Sequence, residues 1–274
     1  MHTEVKFRLA GGEQPLILVP AFVNKKGPFE FILDTGACTS LLSTELAQRL
    51  GINEGESKEA MGAGGKVKVT LSHVESLAIG TATLENVQIA ITDMSGVGSA
   101  VGAKIDGDIG YNFLNVFRVM IDYRTHALHL IQGENPPPSS EADQIKFKLA
   151  GPAKPLILVP TYVNDQGPYQ FAVDTGASTT VISPEFAQSL GIQTVEAPAM
   201  TGGGGKVRAS RGNVESLAVG MTQLEKVAVV VSDFLVSLSG IVGAKLDGVV
   251  GYNYLKNFTV TIDYPRETLT LQKA

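Results

Sequence analysis

The chain's 274 residues are 44% hydrophobic and only 18% charged, enough apolar material for a sizeable core and too much for wholesale disorder. A formal charge of −5 without any lysine or arginine run argues against nucleic acid and against an anionic membrane surface as partners. The single cysteine excludes an intrachain disulfide framework, and no apolar stretch approaches the roughly 20 residues that a membrane-spanning helix needs. The expectation is a soluble protein. Residues 1–9 alternate charged with apolar side chains, unlike a signal peptide, although a secreted or periplasmic chain whose signal had been removed would read the same.

Self-similarity organises the sequence. Adding 140 takes Leu16-Ile17-Leu18-Val19-Pro20 to Leu156-Ile157-Leu158-Val159-Pro160, and Val74-Glu75-Ser76-Leu77-Ala78 to Val214-Glu215-Ser216-Leu217-Ala218. Past Asp93 and Asp233 the offset is 141, as expected of one residue inserted in a loop. Between the copies, residues 133–143 are rich in proline and polar side chains and read as a semi-extended linker. The expected organisation is an N-terminal lobe at 1–132, a linker at 133–143 and a C-terminal lobe at 144–274.

In chain order, short apolar runs separated by turn residues predict a mostly β fold. Strands are expected at 4–9, 16–23 and 29–33, the last two joined by a turn containing Asn24 and Gly27-Pro28. The third strand delivers Asp34 into a tight turn at Thr35-Gly36-Ala37, and the second repeat does the same with Asp174 and Thr175-Gly176-Ala177. Glycine lets the backbone reverse sharply beside a carboxylate. Two strand-borne carboxylates placed alike in one fold are expected to face each other and share a proton. A short helix follows over 44–50, capped by Ser43 or Thr44 and ended by Gly51, with Glu45 in its first turn; Ser183-Pro184-Glu185 repeats the signal.

Next come two glycine clusters, Gly62-Ala63-Gly64-Gly65-Lys66 and Gly202-Gly203-Gly204-Gly205-Lys206. Both run into alternating strand sequence, and neither lysine precedes Ser or Thr, so a phosphate-binding loop is rejected and a hairpin tip or ordinary loop remains. Strands at 74–79 and 84–91 precede Asp106-Gly107-Asp108-Ile109-Gly110-Tyr111-Asn112-Phe113-Leu114, matched by Asp247-Gly248-Val249-Val250-Gly251-Tyr252-Asn253-Tyr254-Leu255. Closing strands are expected at 116–122 and 128–131, and at 258–263 and 268–271.

An apolar run into Asp-Thr-Gly-Ala, then a glycine-rich hairpin, then Gly-Xaa-Asn-Xaa-Leu resembles the retropepsin-like aspartic peptidases, over about residues 16–130 and 156–271. A lone Asp-Thr-Gly says little, whereas three features in one order, occurring twice, say much more. The resemblance implies two fused, pseudo-twofold-related acid-protease lobes of the retropepsin or pepsin kind, mostly β with a short helix in each, in a monomer. It implies an aspartic endopeptidase in which Asp34 and Asp174 activate a water, without metal or cofactor. Thr35, Gly36, Ala37, Thr175, Gly176 and Ala177 would support the active-site turns, the threonine hydroxyls bonding across the lobes. Gly62, Ala63, Gly64 and Gly65, with Gly202, Gly203, Gly204 and Gly205, would be flaps closing over an extended peptide or protein substrate. By the same analogy the strands at 4–9, 145–149 and 269–272 form a shared sheet. Ala37 and Ala177 stand where pepsin-like enzymes often carry a hydroxyl, which predicts a mildly acidic optimum of about pH 4 to 6. The alternatives are a non-catalytic peptide-binding module on this fold and a domain-swapped assembly.

One residue departs from the pattern: Asp108 stands where the second repeat has Val249 and the family an apolar residue, and it is expected at the exposed start of its strand. Cys38 is expected to be a small core residue, Lys104 and Lys245 solvated, and Tyr111 and Tyr252 core aromatics with hydroxyls reaching the surface. The four histidines have no histidine counterparts in the other repeat and suggest no metal site.

Overall fold

The computed structural model describes residues 1–52, 55–133, 144–151 and 155–273, so the expected linker lies, apart from Gly133, outside the described residues. Among the described residues, each repeat builds an eight-stranded sheet, and a six-stranded sheet drawn from both repeats joins them. In the first lobe Leu16–Val23 pairs with Lys26–Leu33, which runs parallel to Gly107–Ile109. Leu41–Ser43, Ala82–Thr92, Gly65–Ile79 and Glu56–Gly62 follow in that order. Leu16–Val23 also meets Gly65–Ile79 at its far end, which curls the sheet on itself and explains why nearly all of that strand is buried. The second lobe repeats the order.

The turn between the first two long strands is tighter than expected. Asn24 and Lys25 both take positive φ, 49° and 64°, as a two-residue hairpin turn requires, and Gly27 and Pro28 lie inside Lys26–Leu33. Asn24 holds the geometry by donating its N–H to Ser76 O at 2.9 Å and accepting from Ser76 N–H at 3.1 Å.

The strand expected at 4–9 divides at Phe7. His2–Lys6 enters the shared sheet beside Ala127–Ile131, and Arg8–Ala10 enters the lobe sheet beside Leu16–Val23. Phe7, 5% exposed, sits at the crossing and donates its N–H to His126 O. The second repeat switches sheets in the same way at Phe147, between Gln144–Lys146 and Lys148–Ala150.

Among the described residues the shared sheet therefore has six strands rather than the three anticipated. They run in the order His2–Lys6, Ala127–Ile131, Arg118–Asp122, Phe258–Asp263, Thr268–Lys273, Gln144–Lys146. The lobes meet where Arg118–Asp122 pairs antiparallel with Phe258–Asp263, in the register Met120 to Thr261. Val119, Ile121, Val260 and Ile262 are fully buried there, each contributing roughly 1.5–3 kcal/mol of apolar burial. Two edge-on ring pairs cross between the lobes beside this seam, Tyr111 with Tyr264 and Tyr123 with Tyr252, both at 5.6 Å between centroids.

The helix Thr44–Leu50 forms as its signals predict. Ser43 Oγ accepts from Leu46 N–H, and Gly51 closes the helix at φ 75°. Its counterpart Pro184–Ser189 is capped by Ser183. The second repeat's inserted residue lies in a helix and not in a loop: Phe234–Val242 is the counterpart of Ser95–Val101, longer by the insertion and by a start one position earlier. Both helices end on a left-handed glycine, Gly102 or Gly243, so the extra residue leaves the exit of the chain unchanged. Among the described residues no helix is long and apolar enough to cross a membrane.

Candidate active site

Asp34 and Asp174 emerge at the ends of Lys26–Leu33 and Gln166–Val173, each tied to the neighbouring parallel strand. Asp34 N–H donates to Ile109 O and Asp174 N–H to Val250 O, both at 3.1 Å. Each carboxylate is then held by its own turn. Asp34 Oδ1 accepts from Gly36 N–H at 2.7 Å and Ala37 N–H at 3.1 Å, and Asp174 Oδ1 from Gly176 N–H at 2.7 Å. The turns face each other so closely that a Cβ on Gly176 would lie 2.5 Å from Asp34 Cγ, and one on Gly36 2.7 Å from Asp174 Oδ2. Glycine is thus required in each turn by the carboxylate of the other.

The threonines lock the two turns reciprocally. Thr35 N–H donates to Thr175 Oγ1 at 3.1 Å and Thr175 N–H to Thr35 Oγ1 at 3.0 Å; the hydroxyls pass on to Val173 O and Leu33 O. Both residues are essentially inaccessible, so no water can substitute. Thr175→Val keeps the shape but leaves the buried Thr35 N–H without its acceptor, and should destabilise the protein by about 1–3 kcal/mol. A lowered urea midpoint checks this, and an unchanged midpoint contradicts it.

The Gly-Xaa-Asn motif supports these turns from behind, a role the sequence pattern did not disclose. Asn112 Oδ1 accepts from Ser40 N–H and Ser40 Oγ–H, its amide donates to Gln88 O, and Ser40 Oγ accepts from Gly110 N–H. Asn253 and Thr180 repeat the arrangement with Ala228 O and Gly251 N–H. Gly110 and Gly251 are needed because a Cβ would strike the backbone of the loop after each aspartate, at 2.9 Å from Ala37 O and 2.7 Å from Thr179 C. The recurrence of a hydroxyl at Ser40 and Thr180 was the available signal.

The glycine clusters are the tips of two long hairpins, closing at Gly62 to Gly65 and Gly202 to Gly205. The tips meet: Gly64 N–H donates to Gly203 O at 2.7 Å, and a Cβ on Gly62 would sit 2.2 Å from that same oxygen. Behind the second tip, Ala197 and Met200 pack on the apolar cluster that contains Ala177 and Val249. That hairpin's strand Thr194–Gly202 also lies against helix Ser95–Val101 of the other lobe.

Electrostatically the two aspartates form one system. Their carboxyls face each other across the two turns, and burial, followed by the charge of Asp34, pushes Asp174 well above the usual carboxylate range. Beneath them Tyr264 is buried with its hydroxyl unpartnered among the described residues, and its phenol is pushed up mainly by that burial, with smaller contributions from the charges of Asp34 and Asp174.

Asp108 is not exposed. It lies within Gly107–Ile109 at 4% exposure, in register with Ile32 on one side and Leu41 on the other, and its side chain reaches Asp34. Alternation of side chains along this strand sends residue 108 to the same face that Val249 occupies in the second lobe. Cys38, in contrast, is exposed and so is no core residue. Lys104 pairs with Glu45 and Asp106, and Lys245 pairs with Asp247 at 2.8 Å, which steadies the loops leading into Gly107–Ile109 and Gly248–Val250. Asp106 and Asp247 hold those loops by accepting from the N–H groups of Glu30 and Gln170. His2 stacks on His129, and no cluster of three metal-ligating side chains occurs among the described residues.

No curated protein matches the chain. The model of the family described as aspartyl protease matches it twice, over residues 19–113 and 159–254, each match containing one Asp-Thr-Gly turn, one glycine-tipped hairpin and one Gly-Xaa-Asn segment. The chain therefore belongs to the aspartyl protease family, as a duplicated, retropepsin-like member with an aspartic-protease type of chemistry.

Proposed function

We propose that the protein is an aspartic endopeptidase whose catalytic dyad is Asp34 of the first repeat and Asp174 of the second. The observation that carries the reading is the facing of these two carboxyls, each against the glycine of the other's turn, between turns locked by Thr35 and Thr175. Two acids in contact do not both ionise easily, so the pair holds one proton over a range of pH and titrates as a unit. The ionised member takes a proton from a bound water, and the water oxygen attacks the scissile carbonyl carbon. The protonated member gives its proton to the carbonyl oxygen. Collapse of the tetrahedral diol breaks the C–N bond, the first aspartate returns its proton to the leaving amine, and the second recovers one from the diol. Every proton is supplied and recovered within the dyad.

The substrate class follows from the hairpins. Glycine-tipped hairpins whose outer strands, Glu56–Gly62 and Thr194–Gly202, stand at sheet edges can pair with an extended peptide, which suits a segment of unfolded or loop structure. At Gly62, Gly64, Gly202 and Gly204 the crossing tips leave no room for a side chain, so closure depends on glycine at those positions. Gly64→Ala would place a Cβ 2.2 Å from Gly205 N. It should lower kcat/KM roughly tenfold, equivalent to about 1.4 kcal/mol of lost closure, with little effect on the unfolding midpoint because the tip is not in the core. Equal loss of stability would contradict the flap role. The lobes are proposed to divide near 133–143 and to act within one chain, since both halves of the shared sheet are completed by a single copy.

Digestion of an unfolded protein between about pH 3 and 7 tests the proposal. Cleavage with a maximum near pH 4 to 6 is expected. A folded protein that binds extended peptides without cutting them would replace the reading with a peptide-binding module.

A further inference from the structure

The dyad is symmetric in its turns, its threonines and its supporting asparagines, but not in its surroundings. In the second lobe Val249 packs among Leu158, Ala172 and Val181. In the first lobe the same position holds a carboxyl, Asp108, buried to 4% exposure between Ile32 and Leu41. Its Oδ1 is sealed from solvent and accepts no hydrogen bond from any N–H or O–H group of the described residues. The titratable groups that face it are Asp34 and Cys38 from the turn and loop after Lys26–Leu33, and Asp174 from the other lobe. Strand Leu41–Ser43 brings no ionisable side chain. The nearest cations by sequence and topology, Lys104 and Arg49, are turned toward Asp106. A carboxylate in that position would be an uncompensated buried charge next to another carboxylate, whereas a neutral acid has a donor to offer.

We propose that Asp108 is a third carboxyl of the site, a neutral acid that donates a hydrogen bond to Asp34 and thereby keeps the dyad's proton on Asp174, making Asp34 the general base and Asp174 the general acid. The inference rests on the peptidase reading for those two roles, and on the burial and placement of Asp108, independent of that reading, for its protonation. Asp108 touches Asp34 and not the substrate carbonyl, so it is a positioning residue. Two observations agree with a general rule. Asp108, in register with Ile32, shares a sheet face with Asp34 at the end of the adjacent strand, and desolvation first, then the charge of Asp34, holds its proton well above the usual carboxylate range. Asp174, which lacks such a donor because Val249 stands in its place, is itself shifted toward the protonated form. A donor to the ionised form of one member of a coupled pair lowers that member's affinity for the shared proton and leaves it on the other. A valine would fill the position as well as it does in the second lobe, so packing alone does not call for an acid.

The test needs two variants and two readouts. Asp108→Val copies the second lobe and removes the donor. Asp108→Asn keeps a donor of the same shape. In the pH dependence of kcat/KM, the acid limb reports ionisation of the dyad in the free enzyme. Loss of the donor should move that limb up by roughly one pH unit in Asp108→Val, while Asp108→Asn stays near the parent. A limb unmoved in Asp108→Val, or moved equally in both variants, overturns the proposal. The second readout needs no turnover. Carbon-13 carboxyl spectra of aspartate-labelled protein at about pH 6, above the ordinary aspartate range, should show two protonated aspartates in the parent and one in Asp108→Asn. A single protonated aspartate in the parent overturns the assignment without reference to activity. If the count is as expected but no variant and no parent cuts peptides, the placement of the protons stands and the peptidase reading falls.

Discussion

Asp34→Asn and Asp174→Asn should each lower kcat/KM for peptide cleavage by about 10³-fold or more, because each removes a proton acceptor or donor that the other cannot replace. The double variant should be no worse than either single one, since groups that act as a unit are lost together. The fold should survive. In Asp34→Asn the amide oxygen can still accept from the Gly36 and Ala37 N–H groups that hold the Asp34 carboxylate, and the Thr35 and Thr175 lock does not involve the carboxylates. Removing one of two facing acids also relieves a repulsion, so the unfolding midpoint should stay level or rise. Steady-state cleavage of a labelled peptide, measured beside urea denaturation of each variant, separates a chemical loss from a structural one. Substantial turnover in either single variant would sink the shared-proton mechanism.

The second large effect is on stability, and its sign is opposite to that of most carboxylates. Asp108 and Asp174 both bind their protons more tightly in the folded protein than the roughly 3.9 of an unfolded aspartate. Their contribution is fully present below about pH 4, where both states are protonated, and is lost as pH rises toward the folded values. In that window the native state binds more protons than the unfolded chain, so stability falls with pH by about 1.4 kcal/mol per pH unit for each proton held. Asp122 works in the other direction. Its burial is outweighed by hydrogen bonds from Thr125 and Arg124, its carboxyl lies below the usual range, and its share is lost only as pH falls. Urea midpoints at intervals from about pH 4 to 7 should therefore decline, and Asp108→Asn should roughly halve the slope. A flat profile in the parent would mean that these acids are not held protonated.

What could be read from the chain was everything set by neighbours in sequence or by the repeat itself. The Asp-Thr-Gly turns, the Ser43 and Gly51 helix caps, the hairpin tips and the mostly β character all depend on residues within a few positions of one another. The offset of 140 then shows them twice. The twofold arrangement follows from the same count, since two equal lobes that each expose half of a site have an obvious way to complete it.

What could not be read was decided by contacts between distant segments. Phe7 reads as the middle of a strand, and only the competition between His126 O and the lobe sheet makes the chain cross there from one sheet to another. Asn112 and Ser40 are ordinary polar residues until the fold brings them within 2.9 Å across 72 positions. Cys38 follows the Asp34-Thr35-Gly36-Ala37 turn and faces solvent, because the loop after the turn is pinned by its backbone and leaves the side chain outside. Asp108 shows the limit most clearly. Its neighbours in sequence suggest the exposed edge of a strand, where an acid would be commonplace. Parallel pairing with Ile32 and the convergence of a second lobe bury it against Asp34 and within reach of Asp174. Strand periodicity determined which face of the sheet residue 108 occupies. Only the tertiary structure decided that this face looks onto two other carboxyls, because proximity across 74 and 66 residues is set by packing and not by any local preference of the chain.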